Sequence, residues 1–330
     1  LLGGVDGRRG PELLDAPGSG SSVRGVGVGP AWRAVISVAA GALIVAAVAG
    51  VWLIRRRMPD DVEPTRPLPL TSFGGRILWP ALSPDGNQVA FAWNGEAQET
   101  FDLYVKLVGP GAPVRLTNEP NREHSPAWSP DGRQIAFIRN LAPGRSVLAV
   151  IPALGGDERV VAEATSFTAG ISWSPDGKQL VVSRRDSADL TFALFRVSLG
   201  TGEMTQLTWP PADVPGLRDE LPALSPDGRT LAYCRARSQI NSELRVLALT
   251  EDLAPAGEPV SLTPDIGIAT RPAWTPDGKR IVYSVGGYGW TASPALMVIP
   301  ASAAPGQKPR RVLRGEGGES PTLSRPGSLG

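Results

Sequence analysis

Ser125-Pro126-Ala127-Trp128-Ser129-Pro130-Asp131-Gly132 is the passage that decides the fold. A short apolar segment, Pro126-Ala127-Trp128, enters a Ser-Pro-Asp-Gly turn, and a β-rich run from Gln134 to Arg139 (QIAFIR) leaves it. The turn has a local chemical cause. Proline presets φ at about −65°, aspartate hydrogen-bonds nearby backbone, and glycine accepts positive φ. The two flanking segments are therefore folded back on each other as a hairpin.

The pattern recurs at Ser83–Gly86, Ser174–Gly177, Ser225–Gly228 and, with threonine for serine, Thr275–Gly278. Its aspartates, Asp85, Asp131, Asp176, Asp227 and Asp277, step by 46, 45, 51 and 50 residues. A strand-turn-strand unit repeated at that period is the signature of a propeller blade. These aspartates read as structural turn residues. The residue before each turn (Leu82, Trp128, Trp173, Leu224, Trp274) is expected to be buried between neighbouring blades.

Two outer strands can be placed in every unit: Asp102–Val108 with Pro113–Asn118, Ser146–Ala153 with Glu158–Glu163, and Ala193–Leu199 with Glu203–Trp209. The last two units give Glu243–Thr250 with Glu258–Thr263, and Ala295–Ala301 with Pro309–Arg314. The segment Pro67-Leu68-Pro69-Leu70-Thr71-Ser72 reads as a fourth strand that precedes the first repeat, and Ser320 to Gly327 (SPTLSRPG) as a degenerate repeat core. The expected fold is all-β: a six-bladed β-propeller with five complete blades and one split closing blade that lacks its two middle strands. A first methionine only at Met58 and an end inside a repeat lead to the expectation of a fragment of a longer protein.

Upstream, residues 1–33 are rich in Gly, Ser, Pro and Arg and read as a flexible linker. Residues 34–54 contain no charged side chain, are long enough for a bilayer core, and are bracketed by Arg33 and Arg55-Arg56-Arg57. A single transmembrane α-helix is expected there, because three arginines stand where a signal-peptide cleavage site would be. Residues 55–66 form a polar spacer, and 67–330 the propeller, truncated in its last blade. Counted alone, Arg24 and Arg33 before the span and Arg55, Arg56, Arg57 and Arg66 after it would put the propeller in the cytoplasm.

The repeats resemble the WD-like Pro-Asp propeller repeats of the TolB family over about residues 67–330. The run Leu82 to Phe91 with Asp102 to Leu107 resembles more particularly the C-terminal propellers of bacterial single-span signalling proteins. There a winged-helix or serine/threonine kinase domain precedes the membrane helix. That resemblance implies a single-pass protein of the bacterial cell membrane, a propeller outside the cytoplasm, and a protein or peptide ligand.

Catalytic chemistry is sparse. The chain has one histidine, His124, and one cysteine, Cys234, which lies in an apolar strand and is expected to be inert. It contains no G-x-S-x-G, HExxH, CxxC or G-x-x-x-x-G-K-[ST] pattern. No metal, no cofactor and no enzymatic activity is expected of this chain; the resemblance leaves a kinase as one candidate for a missing upstream part. A net charge of +1 gives no electrostatic case for nucleic acid. The candidate ligand-binding residues are those near the start of each innermost strand, at one mouth of the channel: Glu123, His124, Asp219, Glu220, Arg271 and Glu319. The loop Gly286-Gly287-Tyr288-Gly289-Trp290 offers aromatic side chains for contact. The function expected is a membrane-anchored sensor or protein-interaction propeller. An accessory or gating propeller of an envelope hydrolase or peptidase, or a structural scaffold, is the alternative.

Overall fold

The computed structural model describes residues 73–311, except 98–99, 186–190, 212, 215, 239, 265–266, 287–294 and 303–306. They form five antiparallel sheets of four strands, each in simple sequential order. Blade 1 is β1 (Ile77–Leu82), β2 (Gln88–Trp93), β3 (Asp102–Leu107) and β4 (Val114–Arg115). Blade 2 is β5 (Arg122–Trp128), β6 (Gln134–Ala142), β7 (Arg145–Pro152) and β8 (Arg159–Ala164). Blade 3 is β9 (Ser166–Trp173), β10 (Gln179–Arg185), β11 (Ala193–Ser198) and β12 (Met204–Gln206). Blade 4 is β13 (Arg218–Leu224), β14 (Thr230–Ser238), β15 (Asn241–Ala248) and β16 (Val260–Ser261). Blade 5 is β17 (Ala269–Trp274), β18 (Arg280–Val285), β19 (Ala295–Pro300) and β20 (Arg310–Arg311). The split closing blade, the linker, the span at 34–54 and the spacer lie outside the described residues. Among the described residues no helix is long and apolar enough to cross a membrane.

Period-two patterning puts alternate residues of each strand against opposite neighbours. Ile135 and Phe137 of β6 pack into a cluster with Ala90, Ala92, Leu103 and Val105 of blade 1. Ala136 and Ile138, one residue out of phase, pack with Leu180, Val182 and Val197 of blade 3. A third cluster joins Val181 and Leu194 to Leu231, Tyr233 and Leu247 of blade 4, and a fourth joins Ala232 and Leu244 to Ile281 and Tyr283 of blade 5. The core is therefore distributed over the blade interfaces. Trp128, Trp173, Leu224 and Trp274 are buried there as expected, while Leu82 is only half-buried.

Each turn closes by the same hydrogen bonds. In the Ser129 turn the hydroxyl donates to Asp131 Oδ1 (2.6 Å) and accepts from the Gln134 N–H (2.9 Å), while Asp131 Oδ1 also accepts from the Arg133 N–H (3.0 Å). Thr275 does the same for Asp277, at 2.5 Å. Local donors, the neighbouring hydroxyl foremost, hold all five carboxyls below the usual aspartate range. The glycines at positive φ also let the turns stack. A Cβ on Gly228 would stand 3.2 Å from Pro175 Cδ, and one on Gly278 3.7 Å from Pro226 Cδ. The turn role of the five aspartates is thus visible in the geometry.

The fourth strands are shorter than their sequence patterns, with only two or three paired residues in four of the five blades. A leucine-threonine pair replaces the rest of the ladder. Leu116 N–H donates to the Leu103 carbonyl (2.8 Å), and the Leu103 N–H donates back to the Thr117 hydroxyl (2.9 Å). Leu207-Thr208 clasps Leu194 in the same way, and Leu262-Thr263 clasps Leu244. A side-chain oxygen serves where a strand would use its carbonyl, so the segment is held without being a strand.

Candidate functional site

The innermost strands β1, β5, β9, β13 and β17 share an irregularity. The register against the next strand slips between Leu78 and Ala81, His124 and Ala127, Glu220 and Ala223, and Thr270 and Ala273, with a wider slip between Phe167 and Ile171. In each bulge the residue six before the turn aspartate has left-handed backbone: Trp79 (φ 51°), Ser125 (57°), Gly170 (100°), Leu221 (56°) and Arg271 (52°). A left-handed residue other than glycine costs of order 1 kcal/mol or more, and such positions gather at ligand sites. Proline follows in four of the five, at Pro80, Pro126, Pro222 and Pro272. It has no N–H, so the bulge orphans no donor there. In blade 3 Ile171 stands in that place, and the Gly170 N–H donates to Ser125 Oγ at 3.2 Å. Gly170 cannot carry a side chain, because a Cβ would lie 2.8 Å from Leu221 Cα.

These bulge residues line one cavity of about 390 Å³ shared by all five blades. The half-exposed or exposed turn prolines Pro84, Pro130, Pro175, Pro226 and Pro276 form its rim, and buried Ser125 and Leu221 sit deeper. Between rim and floor the wall is made of the alanines or serine four residues before each aspartate and the large side chain beside them. Among the described residues Arg271 is the one ionisable side chain in this lining.

Of the residues expected at a channel mouth, only Arg271 lines this cavity. Glu123 and Asp219 are fully buried, Asp219 bound within its own blade and Glu123 within its own and by blade 1. Arg139 binds Glu123 and Glu158 together, and the Thr117 hydroxyl donates to Glu123. Arg235 clamps Asp219 through two bonds of 2.7 and 2.8 Å. Each acid is directly opposite its arginine in the ladder, so the pairs fix blades 2 and 4 and present no charge to a ligand. Burial pushes the Glu123 carboxyl above the usual range, opposed by Thr117 and Arg139. Glu220 is buried with its carboxylate 3.4 Å from Arg218. Glu319 and residues 287–290 of the glycine-aromatic loop lie outside the described residues.

His124 is buried, its ring 5.2 Å from that of Trp79 and its Nδ1 3.0 Å from Ser125 Oγ. Burial and the Arg122 charge pull its pKa down to about 4, against a hydrogen bond to Asn140. The pair has the look of a nucleophile and base, but an imidazole of that pKa is a weak base at neutral pH. The serine hydroxyl is also engaged by Gly170. Cys234 is buried, and burial pushes its thiol far up, so it is an inert core residue. Among the described residues no group of three His, Cys, Asp or Glu is placed to hold a metal.

Sequence reading missed the bulge ring itself. Its signal was present: proline five residues before the aspartate in four repeats and, in the remaining one, Gly170 six before it, at the bulge position itself.

Among curated proteins no sequence match was found. Solved structures match more broadly. A TolB from Agrobacterium tumefaciens superposes with a TM-score of 0.56 at 19% identity over 72% of this chain and 81% of its own. TolB from Acinetobacter baumannii gives 0.55 at 18%, over 77% and 56%. A prolyl endopeptidase gives 0.51 at 15%, over 73% of this chain and 37% of the enzyme. At these identities the likeness carries the fold alone. The model of the TolB beta propeller domain matches residues 60–251, more than half of the sequence. With its repeat turns, sequential four-stranded blades and that match together, the chain belongs to the TolB β-propeller family.

Proposed function

We propose that this propeller is a non-catalytic binding module that takes a short protein or peptide segment into its axial cavity. It serves as the sensing or docking part of a membrane-anchored bacterial signalling protein. The observation that carries this is the cavity wall, built from equivalent bulge and turn positions of five blades. At about 390 Å³ it is in the range of ligand pockets, roughly 300–1,000 Å³, and takes a side-chain cluster or a few residues rather than a domain. The uncharged run 34–54 with its flanking arginines supports a single-span anchor, and the resemblance supports a propeller outside the cytoplasm.

The test places a photo-cross-linking residue at Pro130 on the rim and, separately, at Glu163 on the outer edge of blade 2, in living bacteria. One discrete adduct from the rim and none from the edge is expected. An edge adduct equal to that of the rim, or none from the rim, would overturn the reading. A hydrolytic role would instead show as fluorophosphonate labelling of Ser125, and no labelling is expected.

A further inference from the structure

We infer that the segment taken into the axial cavity carries a carboxylate, and that Arg271 is the residue that selects it; this rests on the binding role proposed above. Among the described residues the lining is otherwise alanine, proline, leucine, isoleucine, serine, glycine and tryptophan, so a charged group entering it meets there one ionisable side chain, a cation. Arg271 stands there because its bulge backbone is left-handed (φ 52°), the same device that places Trp79 in the wall from blade 1. No other charged side chain among the described lining residues opposes that cation, so it biases the cavity toward an anionic group.

The acids next to this strand have their own partners: Glu220 has Arg218 at 3.4 Å. The nearby Asp219 and Arg235 neutralise each other. A guanidinium has five donors in a rigid fork and can hold a ligand carboxylate beside a partner it already has. The ligand chemistry that satisfies both the wall and the charge is an apolar peptide segment with one carboxylate. An acidic side chain and a free C-terminus are two sources of that group.

Calorimetry on the full chain separates these ideas, with pentapeptides of one apolar sequence: one ending in a free carboxylate, one amidated, and one amidated with a central glutamate. Binding of either acidic peptide at least about tenfold tighter than the neutral amide, with the preference abolished in Arg271→Gln and in Arg271→Glu, is the expected result. Which acidic peptide leads identifies the source. Equal binding of all three peptides, unchanged by Arg271→Gln, overturns the carboxylate inference and leaves the cavity as a binding site. Failure of every peptide to bind removes the binding reading itself. Thermal melting of each variant, together with retained binding of the neutral amide, guards against a loss that comes only from misfolding.

Discussion

The indole N–H of Trp128 donates to the carbonyl of Ala81 in the preceding blade at 2.9 Å. Trp173 repeats the bond to Ala127 and Trp274 to Ala223, both at 2.9 Å. Each tryptophan thus fills an inter-blade core with its rings and ties two innermost strands with its nitrogen. Removing it leaves a cavity and an unsatisfied carbonyl together. Trp128→Ala should cost about 3–5 kcal/mol, and Trp128→Phe about 1–2 kcal/mol, most of it the lost bond. Chemical denaturation measures both. A loss below about 1 kcal/mol for the alanine variant would place the side chain outside the core.

Blade 4 lacks that indole, since Leu224 stands in its place, and the neighbouring strand compensates. Ser172, where the other repeats have alanine, accepts the Leu224 N–H at 2.9 Å. Ser172→Ala should therefore destabilise by about 1–2 kcal/mol by orphaning a buried donor. Adding Leu224→Trp to Ser172→Ala recreates the pattern of the other interfaces, and a double-mutant cycle should show favourable coupling between the two changes. Additive effects would mean that the two residues do not exchange roles.

Tyr233 and Tyr283 are buried at the position that holds Phe91 and Phe137 in blades 1 and 2, and their hydroxyls have no partner. Burial pushes both phenols up. An unmet hydroxyl in a core is a penalty, so Tyr233→Phe and Tyr283→Phe should be neutral or stabilising by up to about 1 kcal/mol. A clear loss of stability in either would reveal a buried water or partner for that hydroxyl.

Acid should weaken the fold in two windows. His124 has a folded pKa of about 4, below its unfolded value, so its contribution is present above about pH 6.5 and is lost as pH falls toward 4. That loss amounts to about 3 kcal/mol in full. His124→Gln should flatten the melting-temperature profile between those pH values. The turn aspartates, whose folded pKa values are lowered, stabilise above about pH 4 and lose their contribution below it. Asp131→Asn should therefore lower the melting temperature at pH 7 and converge with wild type in strong acid. A constant difference across pH would show that the loss is steric.

The architecture was legible because its determinants are local. Ser129-Pro130-Asp131-Gly132 closes with its own hydroxyl, carboxylate and backbone, so five copies announce five hairpins before any long-range contact is known. The fourth strands were overcalled because Leu116-Thr117 looks β-rich while its threonine hydroxyl, not its backbone, completes the pairing. The site was less legible. Glu123 and Asp219 read as rim charges because sequence shows an acid near a strand start, and not the arginine sixteen residues on that lies opposite it in the ladder. Arg271 was legible as a candidate from its charge near a strand start, whereas Trp79 was not, because left-handed backbone in a strand is a tertiary property that a bulky side chain does not advertise.

The most direct test of the binding account is hydrogen–deuterium exchange of the full chain with and without the acidic pentapeptide. The account predicts protection at the inner-strand bulges around Trp79, Ser125, Leu221 and Arg271 and at the turns that form the rim, and none along β4, β8 and β12. Protection confined to those outer strands, or none at all at peptide concentrations that saturate calorimetric binding, would contradict it.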